Sequence, residues 1–101
     1  MNLWLTEDQA RTIIHHALDD SPREACGLIA GIGSRAERII PIPNCAADPM
    51  HFFGMEQAAL VHTMFEIQRA GLVLIGIYHS HPRGNAIPSS TDIQRCAYPD
   101  T

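Results

Sequence analysis

The chain has 101 residues, of which 46% are apolar and 18% charged, and its formal net charge is −4. That length suits one domain with a modest core, and the composition argues for a folded protein over a disordered one. Seven basic residues without a cluster leave no footprint for nucleic acid. The longest apolar runs, 25–33 and 72–78, fall well short of the roughly 20 residues a membrane helix needs.

The chain opens on MNLWLTEDQA, without a basic segment followed by a long apolar one. A cytoplasmic location is therefore expected. Thr6 and Gln9 have the spacing of a capping box. After them Ala10, Ile13, Ile14, Ala17 and Leu18 recur at helical spacing, which predicts an amphipathic helix of about three turns. Asp19-Asp20-Ser21-Pro22 ends it, because Pro forbids continuation. His15 and His16 fall on or beside its polar face and are expected at the surface.

Ala25 to Gly31 is apolar at every position and reads as a central strand, with Gly31, Gly33 and Ser34 marking a turn. Arg38 to Pro43 reads as a second strand, nearer an edge, since Pro cannot donate to a ladder. Asn44 to Pro49 reads as loop and His51-Phe52-Phe53 as a short strand. From Met55 to Ala70 the helical period returns, with Ala58, Val61 and Phe65 on one stripe and Leu60, Met64 and Ile67 beside it. Gly71 is a natural stop. Leu72 to Tyr78 is another wholly apolar strand. A proline-bounded loop follows, then a short helix over Thr91–Ala97 capped by Ser89 or Ser90. Helix, strand, strand, helix, strand, helix indicates an α/β or α+β sandwich with its sheet between helices.

Three cysteines, Cys26, Cys45 and Cys96, make neither a disulfide framework nor a Cys-x-x-Cys pair and are expected as small hydrophobes. Gly27, Gly31 and Gly33 lack the third glycine spacing of a dinucleotide fingerprint. His51 and His62 have no metal spacing with other histidines.

The informative stretch is Tyr78 to Asp92, YHSHPRGNAIPSSTD. At the end of a strand, the two-residue period points His79 and His81 to one face, a natural chelate pair for zinc. Asp92 is the only carboxylate between His81 and Asp100, which makes it the candidate third ligand. Ser89 lies three residues before it. Two histidines and one carboxylate leave a position open for water, which is the pattern of catalytic rather than structural zinc. A carboxylate must then take the proton from that water, and Glu24, directly before the first core strand, is the candidate. Taken singly each feature has a plainer reading: His-x-His without function, Glu24 as a solvated charge, Ser-x-x-Asp as a helix cap. Arg83 and Asn85 could touch substrate, and a plain turn over Pro-Arg-Gly-Asn explains them as well.

Together these residues resemble the JAMM (MPN-plus, prokaryotic JAB-type) zinc metallopeptidase family. His79-Ser80-His81, seven residues, Ser89, two residues, Asp92 matches its signature without a gap. Pro82 and Pro88 are similar to prokaryotic members, and Glu24-Ala25-Cys26-Gly27-Leu28-Ile29 looks like the family's Glu-x-Cys-Gly segment. The resemblance runs from about Thr6 to Asp100. It implies a cytidine-deaminase-like fold, a curved mixed β-sheet sandwiched by helices. It implies one zinc ion on His79, His81 and Asp92, Glu24 holding and deprotonating the water, and Ser89 donating to the oxyanion. It implies a peptidase or isopeptidase acting at the C-terminal tail of a ubiquitin-like or sulfur-carrier protein. The alternatives within the resemblance are a non-catalytic interaction module and a phage-tail or cell-wall peptidase domain. A DNA-repair-associated branch carries Asn between the histidines, where this chain has Ser80. Family domains usually continue for at least one more strand after Tyr98-Pro99. The expectation is a single domain over 1–101, short at its C-terminus, whose open sheet edge invites homodimerisation.

Overall fold

A computed structural model of the chain describes residues 3–81 and 90–95. The first helix, α1 (Glu7–Asp20), begins where expected. Thr6 accepts from the Gln9 N–H and Gln9 reaches back to the Thr6 N–H, a complete capping box. Strands β1 (Cys26–Ile32) and β2 (Arg35–Ile42) form a hairpin closed by Gly33-Ser34, with Gly33 at φ +60°, a conformation glycine adopts without steric cost. The second helix, α2 (Gln57–Arg69), is capped by the Glu56 carboxylate, which accepts from the Ala58 and Ala59 N–H groups. It stops at Ala70, before Gly71 at φ +74°. Strand β3 (Val73–His81) follows, and then β4 (Ser90–Arg95).

The sheet order is β2-β1-β3-β4, antiparallel at every strand pair. One isolated parallel bridge, Trp4 to Arg35, adds to it. The proline-bearing strand β2 sits at an edge, as its sequence predicts. Two expectations are corrected. The predicted helix over Thr91–Ala97 is a strand through Arg95, because pairing with the open side of β3 satisfies a whole row of backbone groups that a one-turn helix would leave unpaired. His51-Phe52-Phe53 is turn and loop, and the local pairing falls instead on an Asn44–Met55 bridge.

Helices cover both faces of the sheet. On one, Ile67 of α2 packs on Cys26, Leu28, Ala30, Ile42 and Leu74. On the other, Ile13 of α1 packs on Ile29, Ala36, Ile75 and Tyr78. Alternation along β1 therefore feeds two half-cores, which is why its sequence is apolar throughout. Strand β3 carries a bulge: Ala30 pairs with Leu74 and Ile29 with Gly76, so Ile75 is an extra residue. After it Ile77 faces α2 and Tyr78 faces α1. The stripe predicted for α2 is only partly used, since Val61 and Phe65 are more than half exposed. Among the described residues no helix is long and apolar enough to cross a membrane.

The α1 face holds a polar chain that periodicity did not signal. The wholly buried Tyr78 hydroxyl lies 2.7 Å from His16 Nδ1, and His16 Nε2 lies 3.1 Å from Asp20. With the Nε2–H given to Asp20, Nδ1 accepts from the tyrosine. Burial pushes the Tyr78 hydroxyl well above its ordinary pKa, so it remains a donor. His16 is thus fastened between helix and sheet, not displayed at the surface. The Tyr78 ring lies across Gly27, its partner in the ladder, and a Cβ on Gly27 would clash with the ring's Cε2 and Cζ and with its hydroxyl oxygen. Gly27→Ala is expected to destabilise by about 1–3 kcal/mol through overpacking, lowering Tm by at least ~4 °C. The loss should shrink in a Tyr78→Leu background, measured as a double-mutant cycle by thermal unfolding.

Candidate metal centre

The site grows out of the last rungs of the β1–β3 ladder. Cys26 pairs with His79, and the same register carried back places Ala25 opposite Ser80 and Glu24 opposite His81. The Ala25–Ser80 rung is real: the Ser80 N–H donates to the Ala25 carbonyl at 2.9 Å. The Ser80 side chain adds a second bond, its Oγ accepting from the Ala25 N–H at 2.8 Å. Ser80 is wholly buried. The residue between two candidate ligands is therefore the pin that locks Glu24's strand to theirs.

With that rung fixed, Glu24, His79 and His81 project from one face of the sheet, the face that carries Cys26 and Leu28 and packs on α2. Glu24 Oε1 lies 3.7 Å from His79 Nδ1 and 3.9 Å from His81 Nδ1. The two imidazoles meet edge to face with centroids 4.5 Å apart. Ligand atoms from all three residues lie within 4.8 Å of one another, so the group could hold a metal ion. The Glu24 side chain is only 5% exposed and His79's 12%, while His81 opens to solvent at 32%. A buried carboxylate facing two nitrogen donors, at separations too long for direct hydrogen bonds, fits a shared cation. The donor set, nitrogen and oxygen, is of the kind zinc takes.

Asp92 stands opposite His79 in the β3–β4 register, which brings its backbone to the same end of the sheet. Its side chain lies outside what the structure describes, as do Ser89, Arg83, Asn85, the flanking Pro82 and Pro88, and Cys96. The structure thus joins three of the five predicted site residues and sets a fourth at a matching register position. Cys26 shares the site's face but belongs to the core. Its thiol is pushed up to about 11, first by burial and then by the Asp20 charge, so it stays protonated at neutral pH and is a poor ligand.

Sequence reasoning missed the shell around these residues. Phe53 stacks on His79 with centroids 4.6 Å apart and an interplanar angle of 20°. Asn44 holds the loop that carries it. Ser80 enters the sequence reading as part of the signature and without a structural role. Its signal was available in principle: a polar residue of opposite parity to the histidines must enter a half-core, where it needs a partner.

Residues 6–100 match the family model of prokaryotic homologs of the JAB domain. The chain belongs to this family. It is 40% identical over 83 residues to a probable TtuB-protein conjugate cleaving protease of Thermus thermophilus, covering 82% of this chain and 55% of that protein. It is 35% identical over 104 residues to a desampylase of Haloferax volcanii, covering 96% of this chain and 74% of that protein. A solution structure of a Desulfitobacterium hafniense protein superposes with a TM-score of 0.67 and 31% identity, over 80% of this chain and 60% of the other. The chain therefore spans little more than half of the Thermus relative's length. Family membership agrees with the signature residues and with the sheet between two helical layers.

Ser80→Ala should leave the buried Ala25 N–H without its side-chain acceptor and cost about 1–3 kcal/mol. Urea unfolding measures this; a loss below about 0.5 kcal/mol would show that the rung contributes no more than an ordinary surface contact.

Proposed function

We propose that this chain is a zinc-dependent peptidase or isopeptidase domain. It hydrolyses an amide or isopeptide bond at the C-terminal tail of a ubiquitin-like or sulfur-carrier protein. The observation that carries this reading is the convergence of Glu24, His79 and His81 within 4.8 Å at one end of the sheet. The names of the relatives support it, one being described as cleaving a protein conjugate. A single domain in the cytoplasm, with the open sheet edge available for self-association, goes with it.

In this reading His79, His81 and Asp92 hold the zinc ion. When bound, zinc supplies Lewis acidity, polarising a carbonyl and bringing the pKa of water down to about 7. Glu24 has the proton work. Its Oε1 lies beside both imidazoles and its side chain is shielded from bulk water. From there it accepts a proton as the nucleophile forms and returns it to the departing amine. Ser89 donates to the oxygen that becomes negative as the carbonyl is attacked. His81, the more open imidazole, marks the side from which a tail reaches the scissile bond. A tail of this kind lies extended, adding its backbone to a strand edge.

Purified chain should contain one zinc per molecule, measured by elemental analysis, and His81→Ala should lose it. A folded wild type that takes up no zinc would instead favour the non-catalytic module. Glu24→Gln separates two roles. As a proton carrier Glu24 is expected to leave zinc in place while kcat falls by roughly 10²–10⁴. Loss of zinc together with activity in Glu24→Gln would make it a ligand.

A further inference from the structure

The segment between β2 and α2 has little regular structure, yet one side chain organises it. Asn44 is 7% exposed. Its Oδ1 accepts from the N–H groups of Ala46 and Gly54, both at 3.0 Å, and so ties the two ends of the loop together. Its Nδ2 donates to the Glu24 carbonyl at 2.8 Å and the Phe52 carbonyl at 3.0 Å, with a longer contact to the Pro49 carbonyl at 3.3 Å. An amide side chain has two donor hydrogens and two acceptor lone pairs, and here all four are used.

The consequences reach the metal centre by two routes. Glu24 is gripped at both backbone polar groups: its carbonyl accepts from Asn44, and its N–H donates to the Pro49 carbonyl at 2.6 Å. Phe53 follows directly on Phe52, whose carbonyl Asn44 holds, and its ring lies on His79. Arg23 closes the arrangement by donating to the Asn44 carbonyl at 2.7 Å.

We propose that Asn44 is a positioning residue for the metal centre, setting the Glu24 backbone on one side and the Phe53 ring against His79 on the other. This rests on the metal-site reading above, but the first readout of its test does not. Asn44→Asp is nearly isosteric. It keeps the acceptor for Ala46 and Gly54 and removes the donors for Glu24 and Phe52, so the loop stays closed while its grip on the site is released.

The first readout is the imidazole proton resonances of His79 in metal-free protein, which the stacked Phe53 ring shields. In Asn44→Asp they should move downfield, and Phe53→Leu should reproduce the move. The double variant should add nothing further. The second readout is zinc affinity by competition with a chelator, expected to fall by about 10–100-fold in Asn44→Asp. A folded Asn44→Asp protein with His79 resonances and zinc affinity like the wild type overturns the proposal. If Asn44→Asp does not fold, Phe53→Leu decides: unchanged His79 resonances and zinc affinity in that variant overturn it equally. A wild type that binds no zinc would defeat the metal reading alone, since the His79 resonances still report whether Asn44 sets the loop against that ring.

Discussion

The rung between Ala25 and Ser80 decides which residues can meet at the end of the sheet. Register in an antiparallel pair fixes opposition and face at once, and a slip of one residue exchanges the faces. Ser80 exchanges two hydrogen bonds with Ala25, one through its backbone and one through its hydroxyl. That double tie sets Glu24 opposite His81 and gives it the same face as both imidazoles. A buried acid collected with two histidines is costly without a cation or a proton to compensate it. The ladder holds that arrangement with bonds between Ala25 and Ser80, neither of which belongs to the candidate ligand set.

Much of the fold was legible because local and tertiary preferences agree. The Thr6–Gln9 box, the glycine stops and the two wholly apolar strands all formed where their residue types require. They failed to agree at two places. Over 90–95 the short-range signal was a helix cap, and pairing with β3 outweighed it. At 51–53 two aromatic residues suggested a strand, but the Phe52 carbonyl is taken by the Asn44 side chain and not by a neighbouring strand.

The candidate site divides along a similar line. Its proposed ligands stand out in the sequence because metal chemistry narrows residue type and spacing together, and His79 and His81 carry both in three consecutive positions. Glu24 was readable from its place before a buried strand. The supporting residues were not, because their partners are distant in sequence: Ser80 meets Ala25 across 55 positions and His16 meets Tyr78 across 62. A lone Asn in a loop resembles any turn residue until its five contacts are seen.

The bulge at Ile75 gives β3 a property its composition does not suggest. Leu74 faces α2 upstream of it, and Ile77 does so downstream, three positions later and not two or four. The strand thus follows one inside–outside rule before the bulge and the opposite rule after it. Deleting Ile75 would leave an unbroken ladder, Leu74 opposite Ala30 and Gly76 opposite Ile29, with Ile77, Tyr78 and both imidazoles on the faces they already have. Upstream of the histidines β3 therefore holds one residue to spare, and a second loss, from a ladder already regular, would exchange the faces. For the end of the sheet that carries Glu24, His79 and His81, the bulge is a slack of one residue that absorbs a single loss without turning any side chain beyond it.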